Sequence, residues 1–267
     1  MRNTALRIVL LLGCMAAVDC GPTPPAPPPM LPSNEPLLFK IENLEQVSPT
    51  NNLVVPGYAP ATGMQGAWGL LHVSVIDHGV VVTANTAIGD GGTRFYADDG
   101  PGGMTGQITG ILYGLQIASP TTWTGGTIDL FWHDTNATYI AANCVSGAAC
   151  APDAAAVGLF TAGTFLVRLK LANGIDPGNS QTFRMSNLSV AALSAPGALG
   201  AFAGFADVDT SMSGAWTAAL DGNWLMTPLG ARDMRLRSTV TNQSNWSGNP
   251  SGAVGLRSDD PIVVFTH

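Results

Sequence analysis

The chain is expected to be all-β, with one β-sandwich or jelly-roll-like domain behind a signal peptide and a proline-rich tether. Three observations predict this. Apolar residues alternate at strand period in many short runs. Clusters of Gly, Asn and Asp separate the runs. Only one short stretch has helical character.

The first residues read as a bacterial export leader. Arg2 and Arg7 precede the apolar run Ile8-Val9-Leu10-Leu11-Leu12. That run is too short to span a bilayer, which takes about 20 apolar residues. A cysteine just beyond such a run is the mark of a lipoprotein. Leu11-Leu12-Gly13-Cys14 has the small residue that lipoprotein processing prefers before the cysteine. Cys20 lies closer to the tether but follows Asp19. Lipidation is therefore expected at Cys14 or Cys20, with an ordinary cleaved signal as the plainer reading. Residues 1–20 are taken as the leader. The following Pro-rich stretch, 21–36, reads as a semi-rigid, solvated spacer. The remaining residues, 37–267, are expected to form one domain outside the cytoplasm, on the cell surface or secreted. Its only contact with a membrane would be through the lipid.

The strand runs follow in order. They fall at 37–41, 70–76 and 80–83. A longer run begins near Thr105, in which Ile111, Tyr113, Leu115 and Ile117 share a face. Gly106, Gly110 and Gly114 recur along it, which in a strand marks a bend or the close approach of another backbone. Next, Ile128, Leu130 and Trp132 alternate with Asp129, Phe131 and His133. The helix candidate, 152–156, has Pro152 in a permitted first-turn position. Phe165, Val167, Leu169 and Leu171 then alternate with Leu166, Arg168 and Lys170. The last runs are 183–190, 201–208, 234–240 and 262–265.

Composition excludes some functions. Net charge is −7 and charged residues make up 11% of the chain, against about 25% in a typical soluble protein. Nucleic acid is not an expected partner, because neutralising phosphates takes clustered Lys and Arg. The densest basic group is Arg232, Arg235 and Arg237, and the last two read as one solvated strand face. Glu35, Glu42 and Glu45 are the only glutamates, which disfavours a glycosidase built on paired carboxylates. No nucleophile elbow, His-Glu-x-x-His or phosphate-binding glycine loop occurs. No catalytic residue is assigned, and the protein is expected not to be an enzyme. Asp77-His78 and His133-Asp134 read as polar residues near strand ends, since strand neighbours point to opposite faces.

Other residues carry narrower expectations. Cys144 and Cys150 enclose a short small-residue loop and are expected to form a disulfide in an oxidising compartment. No cofactor is expected apart from calcium, which favours oxygen ligands in turns. Its candidate ligands are Asp90, Asp98, Asp99, Asp207 and Asp209. Of six tryptophans, Trp123 and Trp246 lie among turn residues and are the candidates for stacking on sugar rings. Polysaccharide or other surface proteins are the expected partners.

Several segments carry a family resemblance. They are the runs at 106–115, 125–132 and 160–167, followed by Gly204-Phe205-Ala206-Asp207-Val208-Asp209 and Leu220-Asp221-Gly222-Asn223. In this order they resemble the ectodomains of bacterial PEP-CTERM (exosortase-sorted) surface proteins, including those associated with flocs and exopolysaccharide. The resemblance implies a secreted or surface β domain. The sequence given closes on 261–267, a candidate final strand, rather than on a Pro-Glu-Pro motif, apolar helix and basic residues, so exosortase sorting is not expected. The functional expectation is a surface or extracellular-matrix protein acting by adhesion or association with envelope polymer. The alternative is a carbohydrate-binding module.

Overall fold

A computed structural model describes residues 27–98, 106–133, 153–242 and 253–266. The fold is all-β. Its strands are β1 (Pro36–Val47), β2 (Ala67–Thr83), β3 (Ala87–Ala97), β4 (Gln107–Ser119), β5 (Thr122–His133), β6 (Thr164–Ala172), β7 (Arg184–Ser186), β8 (Leu199–Val208), β9 (Leu225–Thr227), β10 (Gly230–Arg232), β11 (Met234–Asn242) and β12 (Val254–Phe265). Among the described residues three helices accompany them: α1 (Ala154–Thr161), α2 (Val190–Leu193) and α3 (Thr217–Leu220). Helix α1 starts where Asp153 caps the Ala156 amide, inside the expected stretch 152–156, and runs on past its expected end to Thr161. The two single-turn helices carry too few residues for a periodicity to register.

The sandwich-like arrangement arises because the main sheet returns on itself. Its path runs β1-β12-β11-β8-β6-β5-β4-β2, and β2 pairs again with β1. Every pairing is antiparallel. Closure leaves these strands no free edge, which removes a route to aggregation. β3 pairs with the far half of β2 as an added strand. The two runs expected at 70–76 and 80–83 are one strand, because the intervening Asp77-His78-Gly79 stays in the ladder. β7 pairs with β5 and β8 beyond the end of β6, so β6 and β7 together fill one position in the sheet.

Alternation sorts the side chains into two clusters. Leu37, Phe39, Ile41, Val73, Ile108, Leu130, Val167, Leu169 and Ile262 meet inside the closed sheet. Leu44, Trp68, Leu70, Ile111, Tyr113 and Phe131 point outward and are covered by Leu53, Val55 and helix α1 through Val157 and Phe160. One expected face is corrected here. Ile111 and Tyr113 lie in the outer cluster, whereas Leu115 lies in the inner one. The cause is a bulge. Gly114 has φ 77° and faces Gly125, φ 67°, and Gly126, φ 109°, on β5. A glycine takes this conformation without a Cβ clash. The Gly114 amide, displaced from the ladder, donates to Gln65 Oε1 at 2.5 Å. Gly106 and Gly110 do mark close approach: a Cβ on Gly110 would stand 2.4 Å from the Asp129 carbonyl oxygen.

Packing begins upstream of the expected domain start at Leu37. Leu31 is buried in the inner cluster. Trp216 Nε1 donates to the Pro29 carbonyl at 2.8 Å, and Thr266 Oγ1 to that of Pro32 at 2.6 Å. The tail of the proline-rich stretch therefore packs against the domain. Among the described residues no helix is long and apolar enough to cross a membrane.

Candidate functional site: the outer groove beside β11

The interior of the closed sheet is filled. β1 places Glu45 inward and β7 places Arg184 opposite it. Arg184 Nη1 and Nη2 donate to the two Glu45 oxygens at 2.5 and 2.8 Å. Asn43 Nδ2 adds a bond to Glu45 at 3.2 Å, and the guanidinium lies 3.7 Å over the Phe202 ring centre. Beside this pair lies a cavity of about 30 Å³ lined by Asn43, Arg184, Ser238 and apolar side chains. That space accommodates a water molecule or two, not a ligand. The inside of the sheet is a core, and a binding site must be sought on its outer surface.

Trp123 is corrected as a sugar platform. It is 0% exposed, packs edge-on to Phe202 with centroids 5.2 Å apart, and belongs to the inner cluster. Its turn-like neighbours are the Gly125-Gly126 bulge, not a surface loop. Trp246 lies outside the described residues, as do Cys14, Cys20, Cys144, Cys150, Asp99 and Asp134.

The carboxylates disperse rather than converge. Asp90 accepts from the Gly92 amide and lies 3.1 Å from Lys40 Nζ. Those bonds hold its pKa below the usual carboxylate value. Asp98 pairs with His72. Asp207 lies 3.5 Å from Arg232 Nη1. Asp209 lies 2.8 Å from Lys170 and accepts from Ser211. Burial alone would raise the Asp209 pKa, but these partners outweigh it and lower it. Among the described residues, no three His, Cys, Asp or Glu side chains assemble as a metal cage. The Asp77-His78 pair also splits. Asp77 takes Lys40 at 2.5 Å, His78 takes Glu35 at 2.6 Å, and His133 Nε2 meets Thr109 Oγ1 at 2.6 Å.

Asp129 is the most heavily bonded carboxylate on the outer face. It is wholly buried. It accepts two bonds from Arg168, both 2.7 Å, plus Tyr58 at 2.5 Å and Tyr113 at 3.1 Å. Burial first, and then the adjacent Asp129, push both phenols above their ordinary pKa. With all its acceptor capacity used and no solvent path, Asp129 is a clamp for the covering segment around Tyr58.

A different region is open. On the outer side of β7, β8 and β11, a groove of about 710 Å³ is lined by Met185, Ser186, Asn187, Ala201, Arg237 and Thr239, among others. Across Arg237 a second depression of about 320 Å³ lies under the β2–β3 hairpin, lined by Leu38, Thr86, Ile88, Arg235, Arg237 and Val263. Arg235 and Arg237 share the outer face of β11, as their strand spacing predicts. Arg237 is exposed, as a solvated face requires, but Arg235 departs from that expectation. Arg235 is half-buried, and its Nε is buried without a hydrogen-bond partner. Burial, and then the Arg237 charge, depress its pKa from the ordinary guanidinium value. A sequence signal for this region exists: 234–258 contains three arginines and no acid.

Comparison with known protein families, with curated proteins and with solved structures returns no match for this chain.

Proposed function

We propose that this is an exported surface or matrix protein that associates with envelope polymer through the groove beside β11. The observation that carries the reading is the groove itself. It is open, about 710 Å³ in volume, and lined by Met185, Ala201 and Ala203 together with Ser186, Asn187 and Thr239. Apolar faces alternating with hydroxyl and amide groups suit a chain of sugar rings, which present both. The leader-like start and the proline-rich stretch support display outside the cytoplasm, either by a lipid on Cys14 or Cys20 or by secretion. The resemblance to PEP-CTERM ectodomains points the same way. A module relying on Trp123 has no support, since that ring is buried. The test is a strain lacking the gene. It should lose cell aggregation or retention of exopolymer, and the wild-type gene should restore it. A variant with the groove blocked by Ala201→Trp should not. Normal aggregation in the deletion strain would remove the reading.

A further inference from the structure

We infer that Arg235 and Arg237 form an oxyanion site that takes the carboxylate of an acidic sugar residue, with neutral neighbouring sugars in the flanking grooves. The inference rests on the polymer reading above and names the chemistry recognised within it.

The argument starts from charge pairing. This chain carries 18 acids against 11 Lys and Arg, so a cation has carboxylates to spare. Lys40, Lys170, Arg168, Arg184, Arg232 and Arg257 each face one. Among the described residues, neither Arg235 nor Arg237 faces a carboxylate. They stand two apart on one face of a strand, about 7 Å apart at the backbone, and both line the depression under the β2–β3 hairpin. Like charges placed together without a counter-charge repel each other. Burying the Arg235 Nε without a partner adds a desolvation cost. A single oxyanion between the two guanidinium groups relieves both penalties through charge-assisted hydrogen bonds.

The surroundings define the rest of the ligand. Arg237 lines both depressions, so an anion held there continues into each. Their walls are neutral: Ser186, Asn187, Ser238 and Thr239 on one side, Thr86, Ile88 and Val263 on the other. The net charge of −7 repels a densely charged polyanion. The match is a sparsely charged chain, with one carboxylate among neutral sugar rings.

The test is titration calorimetry with an aldotetraouronic acid, a single uronate on a run of neutral xylose rings, its methyl ester and inorganic sulfate, on wild type, R237Q and R235Q/R237Q. Both arginines are on the outer face, and a thermal melt checks that the variants fold. Wild type should bind the acid, with affinity falling as salt rises. The ester and the double variant should each lose roughly tenfold or more, the worth of one or two charge-assisted bonds. Equal affinity for acid and ester, or unchanged affinity in R235Q/R237Q, overturns the site and leaves polymer association standing. Sulfate binding without binding of the acidic oligosaccharide overturns the sugar assignment. If the acidic oligosaccharide does not bind while isolated envelope polymer does, the site is wrong and the polymer reading survives. If neither binds, both fall.

Discussion

Arg184 and Glu45, 139 residues apart in sequence, form a two-point ion pair inside the closed sheet. Both side chains are nearly sealed from solvent. The pair ties β1 to β7, at the position where β7 takes over from β6. Removing one partner leaves an uncompensated buried charge. Glu45→Leu or Arg184→Met alone should therefore cost about 3–5 kcal/mol, while the double change Glu45→Leu/Arg184→Met should recover most of it. Urea denaturation of the four proteins measures this. A double variant as unstable as the sum of the singles would show that the two residues do not act as a pair.

The bulge at Gly114 predicts a graded series. Gly114→Ala meets no atom within 4 Å but must hold φ near 77°, at about 1–2 kcal/mol. Gly110→Ala would drive a Cβ into the Asp129 carbonyl and should cost about 1–3 kcal/mol, with strand displacement added. Gln65→Ala removes the acceptor of the Gly114 amide and should cost about 1–3 kcal/mol. Thermal melts rank them. If Gly110→Ala matched wild type, the close approach of β4 and β5 would be wrong.

These residues also show what the sequence makes legible. Strand periodicity identified the element around Ile128–Trp132, because it keeps one side inward and one outward over its length. On β6 the expected face fails at Phe165, which packs on the outer cluster, while Leu166 joins Val167, Leu169 and Leu171 in the inner one, because the register shifts opposite Leu130 and Phe131. Periodicity also failed at Tyr113 and Leu115, where a bulge reverses the sides. The glycines that permit the bulge were visible, but not their φ values. Trp123 looked exposed for the same reason, since glycines that form a bulge and glycines that form a loop read alike in one dimension. The arginine pair was visible as a spacing. That no carboxylate among the described residues faces it depends on which acids the fold brings near, and Asp207 and Asp209, the nearest in appearance, turn to Arg232 and Lys170. Closure of the sheet through β1 and β2 is a long-range pairing with no local signal.

Asp207 and Asp233 predict a pH dependence opposite to that of most carboxylates. Burial raises both above the ordinary 3.8, with repulsion from Asp233 adding at Asp207 and from Asp221 adding at Asp233. The folded chain then holds protons that the unfolded chain has released. Their contribution to stability is fully present below pH 3.8 and is lost as pH rises through the raised native values. Asp207→Asn should flatten that part of the stability profile, followed as urea midpoint against pH. A slope equal to wild type would take Asp207 out of the explanation.

The central claim is that the outer groove beside β11 holds envelope polymer. Co-sedimentation of the purified protein with insoluble polymer isolated from its own cells tests it most directly, with wild type, Ala201→Trp and R235Q/R237Q side by side. Saturable binding by wild type, weakened by salt and lost in both variants, is the predicted result. Absence of wild-type binding, or equal binding by Ala201→Trp, would contradict the claim.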